Sequence, residues 1–223
     1  MFHVWSKWLL PEIELYLVNI PGRDARIRET PHRQLQELIN HLTEGLIPHL
    51  NKPFAFFGHS MGSLISFEVA AQLRRARHSL PLHLFVSGRQ PPHVPALHPN
   101  FHALPEHDFL RAVQETYGDL PEIILQDSEL TGLFLSLMRA DITMLETYHY
   151  DDEAPLACPI TVYGGMQDTS VTEQGLAAWK QQTTAGFRMK MFPGKHFFIH
   201  TARSAVLDDI NTELARYEPG RKA

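Results

Sequence analysis

The chain has 223 residues, 43% of them hydrophobic, with a formal net charge of −5 and one cysteine. That length supports one sizeable core and leaves no room for two typical domains plus a linker, so a single domain over 1–223 is expected. No long run of Lys or Arg offers a footprint for nucleic acid or an anionic membrane, and a lone Cys158 excludes an intramolecular disulfide framework and fits a reducing compartment. The N-terminal residues lack a basic segment followed by a signal-length apolar stretch, and no later stretch is long enough to span a bilayer, which reads as a cytoplasmic protein. Despite 14 histidines, no H-E-x-x-H and no Cys/His cluster at ligand spacing occurs, so no metal is expected.

In chain order, Glu14 to Ile20 is a β-prone run closed by Pro21-Gly22 and predicts a first strand. Gln34 to Leu46 places Leu35, Leu38, Ile39, Leu42 and Leu46 on one helical face. Phe54 to Phe57 is an apolar strand run that ends in Gly58-His59-Ser60-Met61-Gly62, and Leu64, Ile65, Phe67, Val69, Ala71 and Leu73 begin a helix at once. Leu82 to Val86 reads as the next strand. Between Ser87 and Ala157 the alternation stops, with helices over Pro105 to Tyr117 and Ser128 to Tyr148. The second carries Leu130, Leu133, Phe134, Leu137 and Leu145 as a stripe, which ordinary core packing explains at least as well as substrate contact. An insertion over about 95–155 is expected to lie as a lid above the strand ends. Ile160 to Tyr163 and Phe187 to Phe192 restore the strand pattern, and Glu218 to Ala223 read as a frayed tail. Alternating strands and helices imply an α/β fold, a mostly parallel sheet covered on both faces.

The segment G-x-S-x-G between a strand and a helix is the nucleophile elbow of an α/β-hydrolase, with the serine raised on a strained turn. Both glycines are expected to avoid collisions that side chains would make there. A serine hydroxyl is a poor nucleophile at neutral pH and needs a base, which in turn needs an orienting acid. Asp168 follows a predicted strand and Gly164-Gly165, at the sheet edge where ligands bind in open α/β sheets. His196 follows Pro193-Gly194 and can bend back over Ser60. Ser60, His196 and Asp168 are therefore the candidate nucleophile, base and acid. His200 is the main rival base, and Asp151, Asp152 and Glu153 are rival acids that read better as a solvated face. His59 is expected to point to the opposite face from the nucleophile. Cys158 reads as a small residue ahead of a strand.

The chain resembles the type II thioesterases, the editing enzymes of nonribosomal peptide and polyketide synthases. The resemblance runs from about Phe2 to Ile199. It rests on Asn19-Ile20-Pro21-Gly22-Arg23, the elbow, Ser87-Gly88-Arg89, Arg139-Ala140-Asp141 with Leu145-Glu146-Thr147-Tyr148, Cys158-Pro159-Ile160, Gly164-Gly165 with Asp168, and Phe192-Pro193-Gly194 with His196-Phe197-Phe198. It implies the same three triad residues, no metal or redox cofactor, and hydrolysis of acyl groups from the 4′-phosphopantetheine arm of an acyl or peptidyl carrier protein. A fatty-acyl carrier-protein thioesterase and a small-molecule esterase of the same fold are the alternatives. A monomer is expected, since no heptad seam stands out.

Members of that family begin with a strand and a glycine-containing loop ahead of the region matching Phe2 to Pro11, and both are missing from this chain. The loop carries the second oxyanion donor, which leaves the backbone N–H of Met61 as the one expected here. Met1 is accordingly expected to be an internal methionine of a longer reading frame. The other reading is a truncated, inactive homologue that only binds carrier protein.

Overall fold

Four strands, β1 (Ala55–His59), β2 (His83–Ser87), β3 (Ile160–Gly165) and β4 (Phe187–Phe192), form one sheet in the order β1-β2-β3-β4 with every pairing parallel. The computed structural model describes residues 2–98, 100–118 and 128–217; the tail expected over 218–223 lies outside the described residues. Around the sheet run α1 (Leu35–Leu46), α2 (Met61–Arg75), α3 (Glu106–Tyr117), α4 (Ser128–Glu146), α5 (Glu173–Ala177), α6 (Phe198–Thr201) and α7 (Arg203–Leu214).

The side-chain alternation along β2 explains the layering. Leu84 and Val86 point to one face, where they pack with Phe67 and Ala70 of α2, Leu176 of α5 and Trp179. Phe85 points to the other and joins Tyr163, Phe192, Phe198 and the α7 residues Val206, Leu207 and Ile210. A strand buried on both faces reads as a continuous apolar run, as parallel sheets do. On the outer side of α2, Leu64, Val69 and Leu73 meet Leu35, Leu38, Ile39 and Leu42 of α1, the face the helical spacing predicts.

Three expectations change. Glu14 to Ile20 forms no strand and belongs to no ladder, and among the described residues β1 pairs with β2 alone. A β-prone run becomes a strand only when its backbone groups find partners. Here the run reaches around the sheet edge: Leu15 packs on the α7 side, Ile20 on the α1–α2 side, and Tyr16, Leu17 and Val18 between them are exposed.

The second change concerns α4, whose buried residues are Leu135, Ala140, Ile142 and Met144, whereas Phe134, Leu137 and Leu145 are half-buried and Leu133 is exposed. The side chain of Leu130 lies outside the described residues. The shift has a simple cause, because α4 has two partners. Leu135 and Ile142 pack with Phe109 and Val113 of α3, while Met144 packs with α1 and α2. A helix touched from two sides does not keep one stripe. The end of the insertion is also tied to the body: Arg23 pairs with Asp141, and the Tyr148 hydroxyl donates to Glu68 Oε1 at 2.6 Å.

The third change is Glu153, which is not part of a merely solvated face. It pairs with Arg74 and, at 2.6 Å, with Arg75 of α2, while Asp151 and Asp152 stay exposed. Cys158 is buried, and burial pushes its thiol up to about 11, which suits a packing role. Among the described residues no helix is long and apolar enough to cross a membrane.

Candidate active site

Ser60 stands between β1 and α2 with φ 54° and ψ −117°, a left-handed backbone that costs energy for any residue but glycine. The turn is over-determined by what surrounds it. The Ser60 N–H donates to the Ser87 carbonyl at 2.7 Å. The buried Ser63 hydroxyl lies 2.9 Å from the carbonyls of both Gly58 and Ser87, and accepts from the Ser87 N–H at 2.9 Å. A Cβ on Gly58 would fall 2.0 Å from the Gly62 carbonyl oxygen, so that glycine is obligatory for the close approach of strand and helix. Gly62 differs from expectation: a Cβ there meets nothing within 4 Å.

Asp168 and His196 come from separate loops. Asp168 follows β3 in a turn closed by its own N–H to the Gly165 carbonyl. His196 follows β4 after Gly194, whose φ of 127° only glycine adopts comfortably. Gly165 must also be small, since its Cβ would lie 2.6 Å from the carbonyls of Gly194 and Lys195. That close approach sets the two loops side by side, and His196 Nδ1 meets Asp168 Oδ2 at 2.9 Å with both side chains buried.

Ser170, which the sequence reading did not single out, is the second partner of Asp168. Its hydroxyl and its N–H donate to Asp168 Oδ1 at 2.6 and 2.9 Å, and the hydroxyl lies 3.0 Å from His196 Nδ1. The available signal was the D-x-S spacing, typical of a carboxylate capping its own turn. Burial pushes Asp168 up, but the hydrogen bonds from His196 and Ser170 outweigh it and hold the carboxyl below its ordinary value.

The expectation for His59 is overturned. Its ring lies 5.0 Å from that of His196, held by a 2.9 Å contact between Nδ1 and the Ser87 hydroxyl. The sharp bend at Ser60 breaks the strand alternation on which the opposite-face reading depended. Burial, then the nearby His196, lowers the His59 pKa to about 3, so this ring stays neutral. The rings of Tyr117 and Phe197 each lie 5.1 Å from that of His196. His200, the rival base, is exposed, its ring packed on Phe197.

Among the described residues no hydrogen bond joins the Ser60 hydroxyl to His196. Both still border the same short stretch: Ser60 is bonded to Ser87, and a Cβ on the next residue, Gly88, would lie 3.4 Å from His196 Cε1. Catalytic hydrogen bonds in unliganded sites are often long and tighten with substrate. Met61 is the first residue of α2, where backbone N–H groups have no helical partner and the helix dipole favours negative charge.

A parallel sheet with helices on both faces and a strained serine elbow at a strand end defines an α/β-hydrolase. Comparison with known proteins narrows the class. The chain matches the family model described as thioesterase domain over residues 1–214. It is 41% identical over 213 residues to the gramicidin S biosynthesis protein GrsT of Aneurinibacillus migulanus, covering 96% of this chain and 83% of that one. It is 30% identical to the human medium-chain S-acyl fatty acid synthase thioesterase, over 96% of this chain and 79% of that one. Among solved structures, RedJ, a thioesterase of prodiginine biosynthesis in Streptomyces coelicolor, superposes with a TM-score of 0.87 at 32% identity, over 95% of this chain and 84% of RedJ. The chain belongs to the thioesterase family, and its relatives include type II thioesterases of peptide and polyketide synthase pathways.

Proposed function

We propose that this thioesterase releases acyl groups from the 4′-phosphopantetheine arm of an acyl or peptidyl carrier protein, with Ser60 as nucleophile, His196 as general base and Asp168 as its orienting acid. The observation that carries the assignment is the buried Asp168–His196 hydrogen bond, at the same sheet edge as the strained Ser60 elbow.

In this reading the Ser60 oxygen attacks the thioester carbonyl as His196 takes its proton. The Met61 N–H, at the start of α2, supports the charge that develops on the carbonyl oxygen. Collapse expels the pantetheine thiol, which receives the proton from His196, and leaves an acyl-serine ester. Water, deprotonated by the same ring, attacks that ester; the free acid leaves and Ser60 regains its proton. Asp168, kept ionised by His196 and Ser170, holds the imidazole by Nδ1 and stabilises its transient positive charge. Protein groups suffice for every step, so no metal or redox cofactor is called for. The helices α3 and α4 act as the lid, with Tyr117 of α3 touching the base.

The names of GrsT and RedJ favour a peptide or polyketide pathway, with removal of stalled or wrong acyl groups as the task. A second reading, release of medium-length fatty acyl chains, is favoured by the 30% identity to the human fatty acid synthase thioesterase. Hydrolysis of acetyl-, hexanoyl- and decanoyl-loaded carrier protein, run beside the matching free thioesters, separates them. Preference for short chains on carrier supports editing, preference for decanoyl supports the fatty-acyl reading, and equal rates on free thioesters contradict carrier dependence.

A further inference from the structure

The helices α3 and α4 share a small core separate from the clusters on the sheet. Phe109 and Val113 of α3 pack there with Phe101 and with Leu135 and Ile142 of α4, and half-buried Tyr117, the last residue of α3, packs against them. The segment leading into α3 is bolted to α4. The Glu146 carboxylate accepts the N–H groups of Phe101 and His102 at 3.0 and 2.9 Å, and Arg139 donates to the Leu104 carbonyl at 2.8 Å. The Arg139 guanidinium also lies 4.1 Å from the centre of the Phe109 ring. These contacts tie α3 to α4, so the place of Tyr117 is set by the lid.

The two ends of the His196 imidazole are held in different ways. Nδ1 is fixed by Asp168 Oδ2 at 2.9 Å, with the Ser170 hydroxyl 3.0 Å away. Among the described residues Nε2 has no hydrogen bond, and three aromatic rings pack on the imidazole: His59 at 5.0 Å, Phe197 at 5.1 Å and Tyr117 at 5.1 Å. His59 is anchored to the Ser87 hydroxyl, and Phe197 is the next residue in the same loop. Tyr117 is the contact that comes from the lid. Aromatic rings at these spacings pack favourably, and they also attract a cation such as the imidazolium that forms during turnover.

We propose that Tyr117 is a positioning residue through which the lid completes the base: with α3 seated, its ring holds the His196 imidazole at the angle that brings Nε2 to the Ser60 hydroxyl. The inference rests on the roles proposed for Ser60 and His196. Nε2 accepts a proton from Ser60 in acylation and from water in deacylation, so both steps depend on the same ring angle. Misplacing a reacting group by about 1 Å costs on the order of 100-fold. The restraint is made by the ring and needs no hydroxyl.

The test compares Tyr117→Phe with Tyr117→Leu, which leaves an apolar side chain for the lid core but removes the ring. Acetyl- and decanoyl-loaded carrier protein are mixed with each, and acylation of Ser60, hydrolysis of the acyl-serine and steady-state release are followed. In Tyr117→Leu, kcat should fall by about 10–100-fold for both acyl groups, with KM within about threefold of wild type and both steps slowed together. Tyr117→Phe should stay within about threefold of wild type. An unchanged kcat in Tyr117→Leu overturns the proposal. So does a loss that differs between acetyl and decanoyl by more than about tenfold, which makes Tyr117 a wall of the acyl site, or one confined to acylation, which assigns it to carrier docking. Tyr117→Phe as slow as Tyr117→Leu gives the role to the hydroxyl and overturns it too. If wild type releases neither acyl group, the thioester-releasing role falls, and the His196 Hε1 and Hδ2 resonances then decide the positioning. Exchange broadening in Tyr117→Leu but not in Tyr117→Phe supports it, and resonances that stay sharp in Tyr117→Leu end it.

Discussion

The two halves of the site are built differently. Asp168 and His196 hang from β3 and β4, their side chains are buried, and two close glycine contacts bring their loops together. Ser60 hangs from β1, which among the described residues has one neighbour and is flanked by residues 2–20, where Trp8, Tyr16, Leu17 and Val18 are exposed. The difference teaches that the proposed acid and base are held by each other, by Ser170 and by the packing of their loops, whereas the proposed nucleophile depends on the elbow itself and on Ser63 and Ser87. Changes on the two sides should therefore fail in different ways.

The largest expected effect is on chemistry at the buried half. His196→Ala should lower acyl release by about 10³-fold or more while the thermal transition stays cooperative; a loss smaller than tenfold would move the base elsewhere, with His200 the first candidate. Next comes the elbow, where the two glycines of one motif should part company. Gly58→Ala forces an atom to within 2.0 Å of the Gly62 carbonyl oxygen and should cost about 4 kcal/mol or more, or prevent folding, whereas Gly62→Ala, with open space, should change stability by no more than about 1 kcal/mol. Equal effects in a denaturation series would mean that the tight approach at Gly58 is wrong.

A pair of phenylalanines sharpens the contrast between sheet centre and edge. Phe85, fully buried on β2, should cost about 3–5 kcal/mol on truncation to Ala. Phe57 on β1, half-buried against Trp5 and Phe2, should cost clearly less. A Phe57→Ala loss as large as that of Phe85→Ala would show that the edge is as well packed as the centre.

The smallest effect concerns pH. Burial raises Glu68 above 4.5 despite the Tyr148 hydrogen bond. A folded pKa above the unfolded one contributes stability that is fully present below the unfolded value and lost as pH rises through the folded value. Gln can still accept from Tyr148, so Glu68→Gln should have a Tm equal to or above wild type at neutral pH, with the difference narrowing or reversing near pH 4.5. A Tm depressed at neutral pH and restored by acid would contradict this sign.

How much of this was legible depends on whether the cause is local. The elbow, the α1 face and the strands β2 and β4 were readable because each is a short-range pattern of glycine placement or apolar spacing. Asp168 and His196 were readable because chain order and loop position in this fold constrain them. Ser170 and Ser63 were missed because their roles arise only when separate loops meet. The apolar spacing of α4 misplaced its buried face because two layers press on it, and Glu14 to Ile20 looked like a strand because sequence shows β propensity but not whether a ladder partner exists. His59 was misplaced because strand alternation was carried one residue too far into a strained turn.

The central claim is that Ser60 attacks a carrier-bound thioester. Its most direct test is intact mass of the protein after brief mixing with acetyl-loaded carrier, for the wild type and Ser60→Ala, with product release followed in parallel. The account predicts a transient acetyl adduct on Ser60 in the wild type, and neither adduct nor more than trace release in Ser60→Ala. Release by Ser60→Ala at a rate close to wild type would contradict it.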